Sequence, residues 1–488
     1  MMISLISNTM ITLALAIVLL PFLGAAAIGL APHRAGKWLC QIFAAATLAL
    51  MLDLVARFVA ADHAGASASL IALGHAEIFG LAVDSVSVLI ALAVVAIGLL
   101  VVVYSAAYLN AGNREHPDTG RKRYYAFLLL FIGAMSGLVF SSTITGQLAF
   151  FEITGACSWA LIGYYESPKA LRSAAKALII THIASLGLYV AAALLFVDTG
   201  TFALSAIAQL TPAHKAAVLL TILVAAWGKS AQLPMHMWLP DAMEAPTPVS
   251  AYLHAASMVK VGVYIFARGL MAADGVPHIV GWVGATMAII TLIYGFIMYL
   301  PQVDMKRLLA YSTITQLSYI FLGLSLSVFG SDLAFKGAIA HIFNHAFAKT
   351  LFFLVAGTLS YTAGTRMLPS LRGVLTKMPI LGVSFVVAAL AITGVPPFSG
   401  FFSKFAIFGG GFAVSQQNLL LLPMVVIALA ESVGCFAWFL KWMGYTVPGK
   451  PSDAVAAASP LPAGMTFVLS VLVVMAVCSS FIAASWLG

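Results

Sequence analysis

The chain has 488 residues, of which 62% are hydrophobic and 8% charged, and carries a formal net charge of +8. That is too little polar side chain to cover a water-soluble fold of this size, so the composition implies an integral membrane protein. The positive excess lies in short loops rather than on a basic face interleaved with exposed aromatics, which excludes nucleic acid as the expected partner.

Apolar runs of about 20 residues, each long enough to cross a hydrocarbon core as a helix, recur from end to end. They are continuous rather than alternating, which excludes a membrane β-barrel. The pattern predicts an all-α polytopic membrane protein with about fourteen transmembrane helices, centred near residues 20, 49, 96, 133, 154, 186, 224, 260, 288, 317, 347, 396, 430 and 476. The first run, residues 10–30, has no Lys or Arg before Arg34. It therefore lacks the basic start of a cleaved signal peptide and is expected to remain as a span. Cys40, Cys157, Cys435 and Cys478 stand singly in apolar runs, without the paired spacing that zinc or iron–sulfur clusters require. No metal or cofactor site is expected in this chain.

Of the twenty-four Lys and Arg residues, sixteen fall in loops after odd-numbered spans and four in loops after even-numbered ones. By the positive-inside rule the odd loops are cytoplasmic and both termini lie on the opposite side. The remaining four, Lys229, Lys260, Lys349 and Lys404, have no loop to occupy.

Two spans read as broken. In the seventh, Pro234, Pro240, Pro246 and Pro248 follow Lys229; in the twelfth, Pro396, Pro397 and Gly400 precede Lys404. Their five-span spacing predicts two inverted five-helix repeats, residues 124–272 and 276–443, after an N-terminal three-helix segment, residues 1–123, and before a last helix in residues 444–488. Simple proline kinks are the plainer alternative. The shorter, mildly amphipathic segments 201–213 and 365–377 are expected on the surface.

A charge at mid-bilayer costs about 2.5–3.5 kcal/mol on insertion scales, so each one needs a partner or water. The candidates are Glu152, His182, Lys229, His254, Lys260, His341, His345, Lys349, Lys404 and Glu431. A lone residue such as His182 reads most simply as a buried polar group satisfied by a neighbour. The lysines are harder to dismiss, because Lys229 and Lys349 sit well inside their runs. In AIAHIFNHAFAKTLFFL, His341, His345 and Lys349 recur every fourth residue and share one helix face over about 12 Å. Such a stripe should face a hydrated interior and can pass protons. A buried ammonium beside a carboxylate keeps its proton, and one whose partner withdraws gives it up. Glu152 and Glu431 are the carboxylates placed for such pairing.

These residues lie in segments that resemble the antiporter-like subunits shared by respiratory complex I, the Mrp sodium/proton antiporters and the membrane-bound nickel–iron hydrogenases. The segments are FFEITGACSWALIGYYES, AAWGKSAQLPMHMWLPDAMEAPTPVSAYLHAASMVKVGVYIFARG, DMKRLLAYSTITQLSYI, NHAFAKTLFFLVAG and ITGVPPFSGFFSK. The run NREHPDTGRKRYYAFLLLFIGAMSGLVFSS and the ending VPGKPSDAV most resemble the component D subunits of hydrogenase-4, relatives of formate hydrogenlyase. The resemblance implies a proton path through Glu152, its paired Lys229, His254, Lys260, His341, His345, Lys349 and the terminal Lys404. It also implies a bacterial inner membrane, so that both termini are expected to be periplasmic, with antiporter-like paralogues in that membrane, and hydrogenase and formate dehydrogenase partners that carry nickel, iron–sulfur clusters and molybdenum. Lys306 and Arg307 are expected to be cytoplasmic anchors. Asp241 and Glu244, in the broken segment, are expected either to gate proton entry or to cap the eighth span. No long lateral helix like that of the largest complex I member is expected after the fourteenth span.

The expected function is a proton-translocating, non-catalytic subunit coupled to a partner's redox chemistry. The alternatives are a subunit of a sodium/proton antiporter or bicarbonate-uptake complex, or a scaffold that does not conduct.

Overall fold

The computed structural model describes residues 2–117 and 120–488, with side chains from residue 8 onward. Asp118 and Thr119, within the NREHPDTGRKRYY motif, lie outside the described residues. Among the described residues, eleven helical stretches, one of them the divided Thr247–Ala272, are long and apolar enough to cross a membrane. Helix Ile144–Ile162 and the two interrupted spans supply the rest of the expected fourteen. This is a multi-pass α-helical membrane protein.

The seventh span stops at Lys229, where helix Pro212–Lys229 ends; the short turns Met235–Met237, Trp238–Asp241 and Ala242–Glu244 then lead into helix Thr247–Ala255. The twelfth is likewise split, into Pro379–Thr393 and Ser399–Ser415, with Pro396 and Pro397 between them. The eighth span is also divided, which the sequence reading did not anticipate. Helix Thr247–Ala255 ends three residues before Met258–Ala272 begins, and Ser257 between them has φ −123° and ψ −110°. No proline or glycine marks that break, so the usual punctuation was missing. A second addition is an antiparallel hairpin, Ala66–Leu73 with Ala76–Val83, in the loop after the second span. Its turn residues Gly74 and His75 were visible, but a long apolar loop gives no helical period to contrast with.

Two compact units are present, each with its own core. The first comprises Met1–Leu99, Lys122–Trp238 and Ala256–Gly284. In it, helix Pro168–Thr199 packs on Ile144–Ile162 and on Pro212–Lys229, while Met2–Leu30 packs on Gly36–Ala60 and Lys122–Phe140. The second comprises Leu100–Arg121, Leu239–Ala255 and Ala285–Gly488. There the helix Asp332–Ala363 is central, touching Ser399–Ser415, Met305–Ser327, Ala463–Leu487 and Thr247–Ala255. Residues 239–255, within the expected first repeat, thus belong to the second unit, because the break after Ala255 divides the eighth span.

The repeated order of elements is visible down to the caps. Pro168–Thr199 and Asp332–Ala363 are both 32 residues long, start behind a serine whose side chain accepts a backbone N–H (Ser167, Ser331), and end at a left-handed glycine (Gly200, Gly364). Thr143 and Asp304 cap the preceding helices. Each also bridges to the segment after its 32-residue helix, Thr143 to Ala203 and Asp304 to Met367. The same offset of 164 residues carries Ser167 to Ser331 and Gly200 to Gly364. It also places Ala177, Thr181 and Ser185 at the positions of His341, His345 and Lys349. All six are buried, so the same helix face is titratable in one repeat and small or hydroxylic in the other.

Candidate functional site

In the first unit, Lys229 is the last residue of its helix and is buried. Its Nζ donates to the Phe151 carbonyl at 2.8 Å, lies 4.1 Å from the centre of the Phe151 ring, and fits because Gly155, one turn further on, has no side chain there. The expected ion pair with Glu152 is not formed. Successive helical residues point about 100° apart. With Phe151 turned inward, Glu152 is directed toward the flank, where Oε2 meets His182 Nδ1 at 2.9 Å. His182 is not the buried residue the simplest reading expected, since its side chain is 60% exposed and that of Glu152 27% exposed. Glu152 still lies close enough to Lys229 to act on it electrostatically. Lys260 is buried on helix Met258–Ala272. That helix meets Pro212–Lys229 closely at Gly262, where a Cβ would lie 2.2 Å from the Ala226 carbonyl, and Ser230 Oγ there donates to the Val259 carbonyl at 2.7 Å.

In the second unit the predicted stripe is real. His341, His345 and Lys349 lie on one continuous helix, all buried, with the two imidazole rings 5.9 Å apart. Facing it, helix Met305–Ser327 lays a row of polar side chains. Ser312 Oγ is 2.9 Å from Lys349 Nζ, Gln316 Oε1 is 3.0 Å from His341 Nε2, and the Tyr319 ring is 6.3 Å from that of His341. His254 joins the row through Thr313 Oγ1 at 3.2 Å, and its ring lies tilted against that of Phe353, 4.6 Å between centroids.

At the other end of the row, His341 Nδ1 bonds Ser403 Oγ at 2.8 Å, and Ser403 precedes Lys404. Lys404 Nζ contacts Ser432 Oγ at 3.2 Å and the Thr393 carbonyl at 3.4 Å, and sits 4.5 Å from the centre of the Tyr319 ring. Glu431 is buried nearby and accepts hydrogen bonds from Tyr299 and Tyr319. Its two tyrosines, rather than a lysine, are thus its direct partners. Lys404 is still near enough to act on it through space. Among the described residues, Lys229, Lys349 and Lys404 have no carboxylate within ion-pair distance.

Lys306 is not a solvent-facing anchor. It is buried, and its Nζ donates to the carbonyls of Met243 (2.8 Å) and Ala245 (2.7 Å), fixing the broken segment that carries Asp241 and Glu244. Beside it Arg366 joins Asp304 (2.9 Å) to Glu115 (3.2 Å). Burial, with Lys306 and Arg366 near, pushes the His116 imidazole below its usual value against the pull of Glu115. Glu244 contributes charge to this cluster. A hydrogen bond from a charged donor is worth about 1.5–3 kcal/mol. Lys306→Met, which removes two, is therefore expected to lower the thermal midpoint of the purified protein measurably; an unchanged melt would contradict this role.

A family profile described as NADH:quinone oxidoreductase/Mrp antiporter, TM, matches residues 141–430, which hold these groups except Glu115, His116, Glu431 and Ser432. The chain belongs to this family. Over 394 residues this antiporter-like chain is 36% identical to the Na(+)/H(+) antiporter subunit A1 of Staphylococcus aureus (strain bovine RF122 / ET3-1), a match covering 75% of this chain and 47% of that protein. The same figures hold for the subunit A1 of strain JH9. The fold matches the Mrp complex from Dietzia sp. DQ12-45-1b with a TM-score of 0.82 at 28% identity, covering 99% of this chain and 51% of the other. A membrane-bound sulfane sulfur reductase, an archaeal respiratory membrane complex, matches with a TM-score of 0.83 over 96% of this chain and 76% of that one; at 23% identity that likeness shows the fold alone. The chain spans about half the length of the curated relatives it matches.

The sequence reading missed the partners of the charged groups in this antiporter-like protein: Ser312, Thr313, Gln316 and Tyr319 on one helix, and Tyr299, Ser403 and Ser432 around Lys404. One signal was available. Met305–Ser327 has the lowest hydropathy of the eleven candidate spans, 1.2, yet its most apolar stretch of 18 residues is entirely buried. A polar span with no lipid face has to direct its hydroxyls and amides at protein partners.

Proposed function

We propose that the chain is the proton-transferring subunit of an Mrp-type sodium/proton antiporter complex. The observation that carries this reading is the set of buried ammonium groups, Lys229, Lys349 and Lys404, held by carbonyls, hydroxyls and aromatic faces rather than by carboxylates. In that setting a carboxylate that approaches or leaves changes which species keeps the proton. Glu152, now bonded to His182, is the mobile anion of the first unit. Its rotation toward Lys229 holds the proton there, and its return to His182 lets the proton go. In the second unit the proton passes along Lys349, His345 and His341, with Ser312, Gln316 and Ser403 orienting the groups, and reaches Lys404 beside Glu431. His254 and Lys260 extend the path, and Asp241 and Glu244 bring protons in from the cytoplasmic side. Both ends of the chain lie on the opposite side by the distribution of basic loops.

The subunit A1 relatives favour this reading over a hydrogenase-4 or formate hydrogenlyase complex, whose partners would carry nickel, iron–sulfur and molybdenum centres. The hydrogenase reading keeps the support of the residue 113–142 run and the VPGKPSDAV ending. Vesicles holding the purified complex separate the two. A sodium gradient alone should drive a change in internal pH; movement only on supply of a redox substrate would favour the hydrogenase reading.

His345→Ala is expected to slow proton movement more than His182→Ala. His345 lies within the buried row, whereas His182 only holds Glu152 in one of its two positions. The reverse ranking in vesicles would remove the row from the path.

A further inference from the structure

The second unit contains a cavity of about 180 Å³ that does not belong to the row of charged groups but reaches its end. It runs beside the first turns of helix Asp332–Ala363, along Lys336, Ala340 and Asn344, which share one face at four-residue spacing. Ser403 and Ser480 line it from helices Ser399–Ser415 and Ala463–Leu487. Helices Asp332–Ala363 and Ser399–Ser415 meet there with almost no gap, since a Cβ on Gly337 would lie 2.8 Å from the Ile407 nitrogen. That approach brings Ser403 within 2.8 Å of His341 Nδ1. The cavity therefore touches the hydroxyl that holds the terminal imidazole of the row.

Asn344 supplies the second observation. It is buried, and its Nδ2 is used, donating to the Ser399 carbonyl at 3.1 Å and lying 3.4 Å from Ser480 Oγ. Its Oδ1 has no hydrogen-bond partner among the described residues, although the side chain lines the cavity. A buried amide oxygen without a partner costs about 1–3 kcal/mol, and the mostly apolar cavity that the Asn344 side chain lines is large enough to hold water beside it. At the far end Lys336 pairs with Asp332 at 3.1 Å, and both are partly or fully exposed. The cavity thus opens beside a charged pair and carries Asn344, Ser403 and Ser480 on an otherwise largely apolar lining.

We propose that this cavity is a water-filled port through which protons pass between the aqueous phase at the Asp332 end of the helix and His341, with Ser403 as the last link and Asn344 as the group that positions the water. The step is a proton transfer only: hydronium gives H⁺ through the Ser403 hydroxyl to the imidazole, or the reverse, and no other bond changes. The port rests on the proton-transfer function proposed above and names where that path meets water in the second unit.

The test uses the assembled complex in vesicles, in a Cys478→Ser background that removes the exposed native thiol. Ala340→Cys places a thiol on the cavity wall, and a membrane-impermeant cationic methanethiosulfonate probes it from each side in turn. The port requires fast modification from the side bearing Asp332, slow modification from the other, and proton flux that falls as the thiol is modified. Separately, Asn344→Leu is expected to slow flux about tenfold, the size of effect that one lost hydrogen bond of ordinary strength produces, without changing the rate of thiol modification. A thiol that reacts only with lipophilic N-ethylmaleimide would make the cavity a lipid groove and overturn the port. So would full modification with flux unchanged. If the unsubstituted complex moves no protons at all, the proposed function fails by itself, and the labelling pattern still decides whether the cavity is wet.

Discussion

Lys229→Ala is expected to leave the complex assembled and to reduce proton movement to background, a loss of at least about a hundredfold, the scale on which removal of a proton-transfer group shows. The argument for intact assembly is local. Lys229 ends its helix and, among the described residues, its side chain donates one hydrogen bond, to the Phe151 carbonyl. The neighbouring packing through Gly228, Gly262 and the Trp238 indole, whose Nε1 donates to the Gly228 carbonyl at 3.0 Å, does not involve its side chain. Truncation removes an ammonium that is costly to bury and leaves the Phe151 carbonyl to water or to its own helix. The argument for lost function is that Lys229 is a buried ammonium on which the charge of Glu152 acts. Blue-native electrophoresis would report assembly and a pH-sensitive dye the flux. A variant that assembles and conducts normally would leave Lys229 a structural residue.

Lys404→Ala is expected to have nearly as large an effect, because Lys404 stands where the row, the buried Glu431 and the split of the twelfth span converge. Here the conservative exchange is informative. Lys404→Arg keeps the charge, the donors and the contact with the Tyr319 ring, but a guanidinium does not release its proton at any physiological pH. A residue needed only for charge or packing would be rescued by arginine. A residue that must let its proton go would not, so both variants are expected to be equally inactive in vesicles, with the arginine form the more stable to heat. Recovery of flux with arginine would mean that Lys404 shapes the field and does not carry the proton.

The legible part of the fold was what one-dimensional pattern controls. Spans, the two proline-marked breaks and the four-residue stripe of span eleven follow from apolar run length, helix-breaking residues and the helical period, and they stand in the structure as read. The split after Ala255 was not legible, because Ser257 adopts its conformation without any residue type that demands it. The repeat was legible only as a pattern. Its strongest marks, the serine and glycine caps and the Thr143 and Asp304 bridges, involve short polar letters that occur at many helix ends. Pairing was the least legible feature. Sequence places Glu152 and Lys229 on adjacent spans but does not give the rotation of helix Ile144–Ile162, which presents Phe151 inward and gives Glu152 to His182. Lys306 misled for a related reason: a lysine at a span boundary reads as an anchor, and only the fold of the broken segment shows two carbonyls waiting for it.

The account depends most on buried lysines that exchange their protons, and Lys229→Arg tests that most directly. Vesicles with equal amounts of assembled unsubstituted and Lys229→Arg complex would be given the same ion gradient, and internal pH followed in time. The account predicts a rapid pH change in the first and only passive leak in the second, although the charge at position 229 is the same in both. Matching pH traces from the two would contradict it.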